Sequence, residues 1–211
     1  MPKLRVILLA AAALACHAPA RAQVYGQFTG AETVPAGGRL FGAYALSSEN
    51  VVGLLAQLRL SFYPNVDFGF HGGIARQDFV GGDRTTVRLG TGLKAKIADP
   101  TAGLPVALAV GGDLAVETGD EFHVLTVGPT LVASRPFAIG SGGVTPYARI
   151  GLAITSIDVR SNRDTDISLP LRLGGDFRLT PQLGLAVELQ LQWSDRFNDN
   201  VGLAAGVNLP F

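Results

Sequence analysis

Residues 183–194 read LGLAVELQLQWS. Leu183, Leu185, Val187, Leu189, Leu191 and Trp193 alternate with Gly184, Ala186, Glu188, Gln190, Gln192 and Ser194. A two-residue period puts every large apolar group on one side of an extended chain and every small or polar group on the other. A helix repeats its faces about every 3.6 residues and would scatter both sets around its surface. The stretch is therefore a strand with two chemically distinct faces.

The same period runs through most of the chain. It predicts strands over 39–47, 50–64, 67–79, 86–97, 105–117, 122–134, 144–159, 167–179, 183–194 and 201–211. That makes about ten strands, with eight as the alternative. Two are less clearly patterned: 39–47 (RLFGAYALS) is apolar on both faces, and 122–134 holds Pro129, which cannot donate to a ladder and suggests a bulge. The connections alternate in kind. YPN, DPTAGLP, RPFAIGSGG and TPQ are turn-like, whereas SSEN, VGGDRT, ETGDE, RSNRDTD and SDRFNDN are polar and charged. An up-and-down antiparallel meander would place the two kinds at opposite ends. Residues 39–211 form one domain by this reading, with no linker inside it.

The amino-terminal end is different. Lys3 and Arg5 precede an apolar run from Val6 to Cys16, and Ala20-Arg21-Ala22 has a small-x-small pattern. The run is shorter than the ~20 residues a membrane-spanning helix needs, and the three parts together make residues 1–22 a secretory signal peptide cleaved before Gln23. A lipidated Cys16 is the weaker alternative, because Leu14 sits one place off the lipoprotein pattern. Residues 23–38 are a short lead-in. Lys3, Arg5 and Arg21 lie in the signal segment, so the rest carries 14 basic and 17 acidic residues. Such a balance does not suggest a nucleic-acid partner. Cys16 is the only cysteine, so the exported chain has no disulfide to staple it.

Which face points inward decides the class. The apolar face is long, unbroken and rich in leucine, while the other face holds few charges per strand and many glycines. Apolar outside and polar inside, on strands of about ten residues, is the pattern of a transmembrane barrel. Closure of such a barrel pairs every backbone group around the ring and leaves no edge in lipid. Phe62, Tyr63, Phe68 and Phe177 fall near the turn-like end and Trp193 near the charged end, as two aromatic girdles would.

Residues 201–211 (VGLAAGVNLPF) end the chain on the same alternation. Here the sequence resembles the small, porin-like outer-membrane β-barrel proteins of Gram-negative-type bacteria, which end in a strand with a terminal Phe. The resemblance implies location in the cell outer membrane, contact with outer-membrane lipids and lipopolysaccharide, and recognition of Val207, Leu209 and Phe211 by the barrel-assembly machinery during insertion. It does not indicate an oligomeric state.

Candidate functional residues come from the inward face. Arg59, Arg88, Lys94, Arg149, Arg172 and Arg178 would meet Asp113, Asp176 and Glu188, with Asp67 and Lys96 beside them. Buried charges must be paired, so the plain reading is an ion-paired seal. The sharper reading is a narrow basic-lined pore that favours anions, with inward glycines such as Gly69, Gly90, Gly92 and Gly184 leaving room. The charged end carries Glu49, Asp83, Glu117, Asp120, Glu121, Asp158, Asp164, Asp166, Asp195 and Asp199 against Arg84, Arg160, Arg163 and Arg196. These are a solvated rim, or a surface bridged to lipopolysaccharide by divalent cations. No loop has the spacing of a dedicated metal site, and no cofactor is implied. His71 lies on the inward face and His123 near the rim, without a motif that supplies a nucleophile and an orienting partner.

The sequence thus predicts a non-enzymatic outer-membrane barrel with a structural role or a narrow passive pore for small solutes or ions. The alternatives are an outer-membrane barrel hydrolase and a soluble exported β-barrel that binds an apolar ligand.

Overall fold

The computed structural model describes residues 27–49, 51–79, 82–101, 103–119, 122–140, 142–159, 162–194 and 200–211. The signal segment 1–22, its cleavage position, Cys16 and the rim residues Asp120, Glu121, Arg160, Asp195, Arg196 and Asp199 lie outside them.

The elements are β1 (Arg39–Ser48), β2 (Val51–Tyr63), β3 (Val66–Phe79), β4 (Gly82–Ala98), β5 (Ala107–Gly119), β6 (Phe122–Ser134), β7 (Phe137–Ile139), β8 (Gly142–Gly151), β9 (Ala153–Val159), β10 (Asn162–Thr180), β11 (Leu183–Ser194) and β12 (Asn200–Pro210). β8 and β9 are one stave interrupted at Leu152, since both pair with β6 on one side and β10 on the other. β7 is a short arm paired to β8. Ten staves remain, every neighbouring pair antiparallel, and β12 closes the ring on β1 through Ala43↔Val207 and Ala45↔Ala205. The Phe211 amide donates to the Arg39 carbonyl at 2.9 Å, and the Arg39 amide returns a bond of 3.0 Å.

Local chemistry explains the turns and irregularities. Pro64 and Asn65 are the two central residues between paired Tyr63 and Val66. Pro64 presets the first position, and Asn65 takes the left-handed φ of 63° that the second requires. The bulge expected at Pro129 falls instead in the neighbouring stave. β6 runs unbroken through Pro129, and the interruption is at Leu152, whose amide donates to the Pro129 carbonyl at 3.1 Å. A proline lacks the amide its neighbour would accept from, so regular pairing lapses on that side.

The staves at the end away from Arg39 and Phe211 are longer than the alternation predicts. β4 begins at Gly82 rather than Thr86, and β10 spans 162–180 rather than 167–179. Residues 82–85, 117–119 and 162–166, expected in charged loops, are strand instead. At a rise of ~3.3 Å per residue β10 is roughly 60 Å long, whereas a tilted strand crosses the ~25 Å apolar band well within that length. Backbone pairing continues past the band, where outward positions such as Thr85 and Thr165 turn polar while inward Thr86 and Asp166 stay buried, so the apolar–polar alternation disappears.

The faces point as expected. Val52, Leu54, Phe70, Ile74, Leu89, Leu93, Leu114 and Leu203 stand exposed on the outer wall, and Arg59, Asp67, Arg88, Lys94, Arg149 and Glu188 are buried inside. Leu89 is 64% exposed at the middle of β4, while its neighbour Arg88 is 4% exposed. Leu89→Arg should therefore cost about 2–4 kcal/mol of folding into lipid vesicles. Urea titration would read this, and Leu89→Phe should be near neutral by the same assay.

Candidate functional site

The lumen is filled by residues 27–34 of the lead-in. Gly37 and Gly38 tie the segment to the open end of β2: the Gly37 amide donates to the Ser61 carbonyl at 2.8 Å, and the Ser61 amide to the Gly38 carbonyl at 3.3 Å. From there the chain runs inward, and six staves hold it. The Val34 amide donates to Asp67 on β3 at 3.0 Å, and the Ala31 amide to Ser134 Oγ on β6 at 2.9 Å. Lys94 on β4 donates to the Glu32 carbonyl at 2.6 Å, the Gly30 carbonyl at 2.8 Å and Thr29 Oγ1 at 3.1 Å. Arg149 on β8 reaches the Thr29 carbonyl at 3.2 Å. Asn208 on β12 donates to the Phe28 carbonyl at 3.3 Å, and Gln27 bonds Asp113 on β5. A buried backbone without a ladder partner must find other partners, and here the wall's side chains supply them.

Phe28 is fully buried and stacks on Tyr44 with ring centroids 4.0 Å apart. Leu46, Val51, Leu55, Ala75, Ala186 and Ala204 complete that inner apolar cluster. This explains why 39–47 is apolar on both faces: one side of β1 meets lipid and the other packs against the segment.

Ionic and polar groups fill the rest in layers. Nearest the end that holds Arg39 and Phe211, Arg59 pairs with Asp67, and Lys94 lies 3.7 Å from the same carboxylate. Deeper, Glu188 accepts from Tyr147 at 2.8 Å and Gln190 at 2.6 Å, with Arg172 at 3.8 Å. Toward the far end, Glu117 pairs with Arg88 at 2.5 Å and accepts from Thr86 at 2.8 Å and from Gln77. Asp176 is half-buried and accepts from Asn208 at 3.3 Å. Arg178 stands apart from the buried layers, exposed at the mouth. Glu117 and Asp166, expected on the acidic rim, are buried in the lumen instead, and Asp166 accepts from Ser194 at 2.8 Å. Both sit on inward positions of staves that extend past the alternating region.

The inward glycines do not leave an open bore. The Tyr147 ring lies where a side chain at Gly174 would go, and Tyr44 does the same at Gly42. His71 is buried over Gly90, and its Nε2 has no hydrogen-bond partner among the described residues. His123 is exposed and meets Thr118 at 3.0 Å. Phe62, Tyr63, Phe68, Phe177 and Trp193 are all exposed on the outer wall, with the Phe62 and Phe68 rings 6.2 Å apart. Leu209 and Phe211 are exposed on that wall, and Val207 lies between Ala43 and Leu185.

Tyr44, Gln57, Tyr147 and Asn208 escape a reading that looks for charge, although their inward positions follow from the phase of the alternation. Gln57 donates to Tyr44, which bonds Asn208. The segment itself carries no such signal, because a chain with no ladder has no period.

No family model and no curated protein matches the chain. Among solved structures it is similar to the β domain of the Bordetella autotransporter Brka, at 17% identity and a TM-score of 0.49 over 83% of this chain and 100% of that one. It is also similar to an outer membrane channel from Pseudomonas putida F1, at 12% identity and a TM-score of 0.47 over 90% and 100%. A third is LpxR from Salmonella typhimurium, at 11% identity and a TM-score of 0.47 over 82% and 83%. LpxR is an outer-membrane enzyme. The expectation that this chain is not an enzyme is withdrawn: outer-membrane enzymes stand beside channels among the structures it is similar to. The chain is a closed, ten-strand antiparallel β-barrel with the fold of the outer-membrane β-barrel proteins, its apolar wall outward and its charges inward.

Proposed function

We propose that the protein is an integral outer-membrane barrel closed from within by its own residues 27–34. It serves as a structural element of the membrane and becomes a narrow passive path for small solutes only when that segment leaves. The observation that carries this reading is Lys94, fully buried, with three of its hydrogen bonds made to oxygens of the segment. In the same reading the outer wall meets lipid, lipopolysaccharide surrounds the end away from Arg39 and Phe211, and Val207, Leu209 and Phe211 present the edge read during assembly.

Planar-bilayer recording tests it. The refolded chain from Gln23 should be silent, with its folding shown by a heat-dependent gel shift. Deleting residues 27–34 should produce discrete conductance steps with a preference for anions, because Lys94 and Arg149 lose oxygen partners and stay in the lumen. Steady conductance from the intact protein would overturn the proposal.

A further inference from the structure

Between the segment and the wall lies a vestibule of about 520 Å³ at the end that holds Arg39 and Phe211. Its lining includes Arg59 and Lys94, which are 0% and 1% exposed. Arg59 spends one nitrogen, Nη2, on Asp67, and its Nε and Nη1 have no partner among the described residues. A guanidinium carries five donors in a planar fork, and leaving some unmet in a buried site is costly. Lys94 is met chiefly by neutral oxygens, those of Thr29, Gly30 and Glu32. Among the described residues the carboxylate within 4 Å of it, Asp67 at 3.7 Å, is shared with Arg59. The other charged side chains around the vestibule are Arg39 and Arg178 against Glu32 and Asp176.

Resting on the lumen-closing reading above, we propose that Lys94 and Arg59 form a binding site for one small oxyanion group, a phosphate or a carboxylate, which the segment's own oxygens occupy in its absence. A neutral carbonyl or hydroxyl oxygen offers the ammonium only a dipole, whereas an ionised acceptor adds the attraction of opposite charges. An oxyanion at the vestibule floor would therefore compete with the Thr29, Gly30 and Glu32 oxygens for Lys94 and use the free edge of Arg59. Its arrival loosens the segment, so the ligand and the plug exclude each other. The phosphate could be free or carried on a lipid headgroup, since the recognising chemistry is the same.

Hydrogen exchange at the Ala31 and Val34 amides reads the competition. The refolded chain from Gln23, in micelles with an uncharged headgroup, is titrated with inorganic phosphate at ionic strength held constant with chloride. The expected result is slow exchange without phosphate and a saturable, several-fold acceleration with it, absent in Lys94→Met. Micelles doped with phosphatidylglycerol replace free phosphate in a second arm, and a Lys94-dependent acceleration only there assigns the site to a lipid phosphate. If Lys94→Met does not fold, phosphorus NMR line broadening of phosphate by the unaltered protein, reversed by excess acetate, decides in its place. Equal acceleration by chloride, or no response in either arm, overturns the site. Fast exchange of both amides before any addition would overturn the lumen-closing reading instead.

Discussion

Asp67→Ala should cost about 3–5 kcal/mol of barrel stability, the range for removing one partner of a buried ion pair. Asp67 is fully buried, and it answers Arg59, Lys94 and the Val34 amide together. Without it two cations are left in a protein-filled lumen, and the segment loses its anchor at the mouth. Urea unfolding from lipid vesicles measures the loss. A double variant with Lys94→Met should recover part of it, because one of the stranded charges is then gone. The Arg76–Asp83 pair is the contrast. It has side-chain exposures of 70% and 43%, and Arg76→Ala should change stability by less than about 1 kcal/mol. Equal effects at the two pairs would mean that the lumen is open to water.

Gly128→Val should prevent closure of the barrel, so that no heat-dependent gel shift is seen. A Cβ at Gly128 would lie 1.8 Å from the Leu152 carbonyl oxygen and 3.1 Å from Ala153 Cα. Both are backbone atoms of the adjoining stave, so no side chain can swing aside to relieve the contact. β6 would have to leave the β8–β9 stave at the one place where that stave is already interrupted. A ring that loses one seam exposes two strand edges to lipid, where their unmet backbone groups cost several kcal/mol each. Gly112→Ala, one stave away, is the matched control. Its nearest neighbour would be the Gly128 carbonyl at 3.8 Å, so it should fold normally.

The two substitutions mark different limits of the sequence. The inward position of Asp67 follows from alternation with Phe68 and Phe70, and its company of inward charges follows from the same phase in β2 and β4. That Gly128 abuts the Leu152 carbonyl does not follow from any local pattern. It depends on the pairing of β6 with a stave some twenty-five residues away, and on an interruption that Pro129 imposes on its neighbour. Glu117 and Asp166 show a third case. Their parity places them inside, yet their charged surroundings suggest a rim, and the outcome depends on how far the staves run past the membrane.

Alternation by itself determined the class, a count of about ten strands with eight as the alternative, and which face meets lipid. The reason is energetic: slipping a strand such as β4 by one residue would turn Arg88, Lys94 and Lys96 into hydrocarbon at about 2–4 kcal/mol each near the midplane. Only the tertiary structure decided what fills the barrel. Residues 27–34 have no period and no charge run to announce them, and their backbone is satisfied by side chains from five staves far apart in the chain. A ladder writes itself into sequence as a repeat. A segment held by scattered donors and acceptors leaves no local trace, because its partners are set by closure of the ring.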